Sequence, residues 1–191
     1  MYQFEKWLRD LLAKLQKEKR WKSLNASYEE SILEHSIKTA WLTQLMIAIE
    51  LDAGNQYELD PYILLQCAIN HDISESIVGD IAYTRKSEKD EENEKKAFEE
   101  LITQIIPQNL HPYFPLPLDM SSTTDQKHKD FWEAIENIGY CMFALAEERH
   151  EFDIVITNHL PVIEKLSKFI SVSMFYDKIK TEYQKRLDAR H

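Results

Sequence analysis

The stretch Tyr62-Ile63-Leu64-Leu65-Gln66-Cys67-Ala68-Ile69-Asn70-His71-Asp72-Ile73-Ser74-Glu75 decides how the chain is read. From Tyr62 to Ile69 it is apolar on most faces, which suits a central, buried helix. Asp60-Pro61 is a strong start for that helix, because Asp can cap the first free amides and Pro at the first helical position forfeits no intrahelical bond. The run therefore delivers His71 and Asp72 side by side at its C-terminal end. A neutral imidazole and a carboxylate oxygen can share one borderline divalent cation, and a buried Asp72 would need such a cation. Glu75, four residues after His71, lies on the same face if the helix persists.

A His-Asp pair needs distant partners before it means a metal. Upstream, Ser27-Tyr28-Glu29-Glu30 reads as a capping box that opens a helix carrying Ile32, Leu33, Ile37, Ala40, Trp41, Leu45, Met46 and Ile49. His35 lies near its apolar stripe, where a satisfied core histidine and a ligand are both open. Downstream, a helix from about Asp130 turns Phe131, Ile135, Ile138, Cys141, Met142 and Leu145 inward. Glu136 follows one of these core positions, and spacing alone leaves it between an exposed acid and a ligand.

Composition bounds the rest. A chain of 191 residues fits one domain with a sizeable core, so no second domain is expected. Only three glycines, with abundant Leu, Ile, Ala, Glu and Lys, favour long helices over a turn-rich sandwich, and the expected fold class is all-α. The net charge of −10 repels phosphate backbones, so bulk nucleic acid is excluded as a partner and a small anion must be welcomed locally. Arg20 and Lys86 are the candidate cations for that. Cys67 and Cys141 sit in apolar helical runs and read as buried reduced thiols of a reducing, cytoplasmic setting. No apolar run reaches the roughly 18 residues needed to span a bilayer.

The remaining helices follow from periodicity. Phe4, Trp7, Leu8, Leu11, Leu12 and Leu15 make a first amphipathic helix ending near Arg20-Trp21. Ser87 can cap a fourth helix whose apolar side is Ala97, Phe98, Leu101, Ile102 and Ile105, stopped by Pro107. From there to about Lys127 the prolines forbid regular helix. A last amphipathic helix runs from about Leu160 to Leu187.

Taken together, Arg20-Trp21, Glu34-His35-Ser36, His71-Asp72-x-x-Glu75 and Gly79-Asp80 resemble the signature of the bacterial HD-domain 5′-deoxynucleotidases, over roughly Lys19 to Phe152. The resemblance implies an HD-domain helical bundle with a core of about five to six helices, spanning residues 1–191, with a metal-site core at about 20–152 and a C-terminal packing helix at about 160–187. It implies one divalent ion (Mn, Co, Zn or Mg) held by His35, His71, Asp72 and Glu136. The last position departs from the family, where an Ala-Asp pair stands at Ile135-Glu136, so this ligand arm is one methylene longer. The same resemblance gives Glu75 the reacting water, Asp80 the sugar hydroxyl with an acid/base role, and Arg20 and Trp21 the substrate phosphate and pocket wall. The implied substrate is a 2′-deoxyribonucleoside 5′-monophosphate, and the implied assembly a homodimer. Two rivals remain: an HD-type deoxynucleoside triphosphate hydrolase, and a non-catalytic HD-fold protein that binds a nucleotide or a protein.

Overall fold

The computed structural model describes residues 2–21, 26–79, 87–114, 117, 125–147 and 149–190. Among them the chain forms eight α-helices and no strand: α1 (Tyr2–Lys17), α2 (Ile32–Asp52), α3 (Pro61–Asn70), α4 (Glu75–Val78), α5 (Glu88–Ile105), α6 (Gln126–Ala146), α7 (Asp153–Lys165) and α8 (Ile170–Asp188). The all-α expectation holds. None of these helices is long and apolar enough to cross a membrane.

Two compact units are each drawn from two stretches of chain: residues 1–38 with 65–123, and residues 39–64 with 124–191. In the first, Leu11 and Leu15 of α1, Ile32 of α2 and Leu101 of α5 form a small apolar cluster, with Leu33 and Ile73 against it. Short α4 packs on both α1 and α5. The end of α1 is latched to the start of α2: the Ile32 amide donates to Glu18 O (3.1 Å) and the Arg20 amide to Glu30 O (2.9 Å). In the second unit α6, α7 and α8 pack on one another. Their interior is aromatic and aliphatic, with Phe131, Ile135, Ile138, Phe152, Ile156, Ile163 and Phe169 fully buried.

Four boundaries differ from the expected ones. Helix α2 opens at Ile32, not at Ser27, because a second Ser-x-x-Glu pattern four residues on does the capping. The Ser31 amide donates to Glu34 Oε2 (2.8 Å) while the Glu34 amide donates to Ser31 Oγ (3.2 Å), the reciprocal capping box. Helix α6 begins at Gln126, ahead of the expected Asp130, since the Asp125 carboxylate accepts the Lys127 amide. Within the proline-rich span, Gln108–Tyr113 form a 3-10 helix with Pro112 inside it, where no helix was expected. Ser87 caps α5 as expected, in a capping box with Asp90.

The fourth difference is the largest: the single last helix is two. Between α7 and α8 the buried Phe169 ring packs edge-on against Tyr57 (4.7 Å between centroids) and Phe131 (4.9 Å). Glu50 of α2, 2% exposed, accepts both the Ser171 amide and the Ser171 hydroxyl at 2.6 Å. A carboxylate on free first-turn amides rewards a new helix N-terminus at that point. At its far end, Arg186 of α8 and Arg190 just beyond it pair with Asp153, the first residue of α7.

Candidate metal and phosphate site

Helix α3 ends where the chain needs a kink. The His71 amide still donates to Cys67 O (2.8 Å), but the next bonds are tighter: Ile73 N to Asn70 O and Glu75 N to Asp72 O, each 3.1 Å. The helix therefore does not persist to Glu75, so the condition under which His71 and Glu75 would share one helical face is not met. Glu75 instead opens α4 as a separate turn, 7% exposed, and Gly79 closes that turn at φ +86, a conformation glycine adopts without strain.

The capping box at Ser31 and Glu34 fixes the register of α2 and so brings His35 to face the α3 terminus. Glu34 is thereby a structural member of the Glu34-His35-Ser36 motif. Bonds from Ser31 and Tyr28 hold its carboxyl low, at about 2. The His35 and His71 rings lie 5.3 Å apart, and His35, His71 and Asp72 each offer a ligand atom within 4.8 Å of the others. His71 Nε2 stands 3.2 Å and His35 Nε2 3.6 Å from Asp72 Oδ2. On the other side of each ring, His71 Nδ1 bonds to Ala68 O at 3.1 Å, and His35 Nδ1 faces Glu30 Oε2 at 3.5 Å. With protons on both Nδ1 atoms, two nitrogen lone pairs and a carboxylate oxygen converge.

Such a convergence asks for positive charge. Arg20 supplies some: its Nη1 bonds to Asp72 Oδ2, with both side chains nearly buried. Burial alone would raise Asp72, but His71 and Arg20 outweigh it and hold the carboxyl well below its usual range. Burial, with Arg20 adding to it, pushes His35 down to about 4, so the ring is neutral at physiological pH and able to ligate. The neutral His35 ring, the His71 ring and the ionised Asp72 carboxylate are together a donor set for a borderline divalent ion. The 3.2 and 3.6 Å separations suit atoms bound to one centre at about 2.1 Å. The residues present fit a metal.

A family model for the YfbR-like 5′-deoxynucleotidases matches residues 8–183. The chain belongs to that family. Among solved structures, an HD-domain phosphohydrolase from Listeria innocua superposes with a TM-score of 0.74 over 93% of this chain and 88% of that one, at 23% identity. At that identity the likeness establishes the HD fold. A search of curated proteins returns no match. As a YfbR-like family member the chain is a phosphohydrolase, and the HD phosphohydrolases are metal-dependent.

The sequence-derived residues distribute unevenly over the structure. His35, His71 and Asp72 come together, with Arg20 on Asp72. Trp21 follows Arg20 at φ +62, a left-handed conformation that turns the chain sharply after the latch with Glu30. Glu136 is half-buried on α6, in the second unit. Asp80 and Lys86 lie outside the described residues. His111 and His128 bond elsewhere, to Ile106 O (2.8 Å) and the Asp60 amide (2.9 Å). One residue was missed: Glu30, read from sequence as a cap, is 2% exposed and bonded to His35 and Lys38. The available signal was the pair of overlapping Ser-x-x-Glu patterns. Only one can cap the helix, which releases the other glutamate for different work.

Proposed function

We propose that the protein releases orthophosphate from 2′-deoxyribonucleoside 5′-monophosphates. The observation that carries the reading is the His35, His71 and Asp72 group with Arg20 set on its carboxylate, inside a chain of the YfbR-like family. His35, His71 and Asp72 would hold the divalent ion, with Glu136 of α6 as the fourth ligand, following the order of acids and histidines along the chain. When bound, that ion supplies charge to a phosphoryl oxygen and acidifies a water. Mn, Co, Zn and Mg are all candidates for it.

The chain's own residues do the rest. Glu75 is buried and begins the turn immediately after Asp72, a placement that supports its taking the proton from the attacking water. Arg20 presents a planar, always-charged fork that matches two phosphate oxygens, so on substrate binding it exchanges part of its contact with Asp72 for the phosphate. Trp21 lines the pocket beside it. As the phosphorus–O5′ bond breaks, the sugar oxygen takes up a proton, the role proposed for Asp80, which also meets the sugar hydroxyl. Lys86 adds positive charge against the overall field of the protein.

The same reading takes the whole chain as one HD domain working as a homodimer in the cytoplasm. The 19-residue α8 supports self-association, and the buried free thiols Cys67 and Cys141 suit a reducing compartment. The test is product analysis on a panel of deoxynucleoside monophosphates, ribonucleotides and deoxynucleoside triphosphates with Mn, Co, Mg or Zn. Metal-dependent orthophosphate from the deoxynucleoside monophosphates is expected. Triphosphate from the triphosphates, or silence across the panel with metal bound, contradicts the reading.

A further inference from the structure

Glu30 is a buried carboxylate that the fold does not require. Capping at the start of α2 is complete without it, through Ser31 and Glu34. Burying an acid is costly unless each oxygen is directed at a partner, and here both are. Oε2 faces His35 Nδ1 at 3.5 Å, and Oε1 accepts from Lys38 Nζ at 2.8 Å. Lys38 is 58% exposed, so that contact adds little by itself and serves to hold the carboxylate in place. Meanwhile the Glu30 carbonyl accepts the Arg20 amide, so one residue ties the backbone of the phosphate-facing arginine to the ring of a metal-facing histidine.

We propose that Glu30 is a positioning residue: its carboxylate accepts the His35 Nδ1 proton, fixes that tautomer and ring orientation, and so aims the Nε2 lone pair at the site shared with His71 and Asp72. The inference rests on the metal reading given above. A carboxylate behind a ligating imidazole makes the ring a stronger donor, and its loss weakens metal affinity by about 10- to 100-fold in comparable sites. His71 has a backbone carbonyl in the equivalent place, Ala68 O. The two histidines therefore differ: one is held by the main chain, which no substitution removes, and the other by a side chain that can be tested.

The test uses the full-length protein and Co(II) as the probe, in wild type, Glu30→Gln and Glu30→Met. Methionine fills the volume and takes away the acceptor, whereas glutamine keeps an acceptor oxygen without the charge. Co(II) affinity should fall about 10- to 100-fold in Glu30→Met, with a changed visible spectrum, and recover most of the way in Glu30→Gln. Ring ¹⁵N shifts of His35 in the metal-free protein should report the Nδ1–H tautomer in wild type and lose that preference in Glu30→Met. Wild-type affinity and spectrum in Glu30→Met overturn the proposal, as does equal weakening in both variants. If wild type shows the Nδ1–H tautomer yet takes up no Co(II), the metal reading fails while the Glu30 contact stands.

Discussion

The two units bury polar groups for different ends. In residues 39–64 with 124–191, buried Glu50 caps the first turn of α8, and the side-chain oxygen of buried Asn137 accepts from His159 Nδ1 at 2.7 Å. These two serve a helix end and a helix–helix contact inside an interior of Trp132, Phe131, Phe152 and Phe169. In residues 1–38 with 65–123 the large buried apolar residues are fewer among the described residues, and Glu30, His35, His71, Asp72 and Arg20 converge on one another instead. Buried charge that points at the backbone builds a fold. Buried charge that points at other buried charge, with an arginine to balance it, marks a site.

That contrast can be broken from either side. Glu75→Gln should lower turnover by about 10²- to 10⁴-fold, the usual contribution of a general base, with the unfolding midpoint and bound metal unchanged. Phosphate-release kinetics alongside denaturant unfolding would show it, and undiminished turnover would remove Glu75 from the chemistry. Phe169→Ala, in the other unit, should do the reverse. It empties the space beside Tyr57 and Phe131 and should cost about 3–5 kcal/mol of stability, while the folded fraction keeps its metal affinity.

A pH titration of the metal-free protein sharpens the comparison. His35 sits at about 4 when folded, below its ordinary value, so the unfolded chain takes up a proton first and stability is lost as pH falls from about 6.5 towards 4. Asp72, also held low, extends the loss on the acid side, since its stabilising contribution is present only above the ordinary carboxylate range. The slope should approach about 1.4 kcal/mol per pH unit inside the window, and His35→Gln should flatten its upper part. The smallest effect is expected from Ser87→Ala, which removes the α5 cap at a cost of about 1 kcal/mol, with no change in turnover.

How much of this was legible in the sequence depended on distance along the chain. The His71-Asp72 pair, the Asp60-Pro61 start and the Ser87 cap are local signals, and each element stands where it was expected. The start of α2 was ambiguous because Ser27…Glu30 and Ser31…Glu34 satisfy the same pattern, and burial of Glu30 decided between them. The split between α7 and α8 was hidden because the carboxylate that rewards it, Glu50, lies 121 residues from Ser171. Arg20 was read as a phosphate contact alone, and its pairing with Asp72 across 52 residues emerges only from the fold.

The most direct test of the central claim measures bound divalent metal and phosphate release on the same preparations of wild type and Asp72→Asn. Asparagine keeps the volume and removes the charge on which His35, His71 and Arg20 converge. Wild type should hold metal and release phosphate from a deoxynucleoside monophosphate, and Asp72→Asn should lose both while keeping its helical circular dichroism. Full phosphate release from Asp72→Asn, or from wild type stripped of metal, would contradict the account.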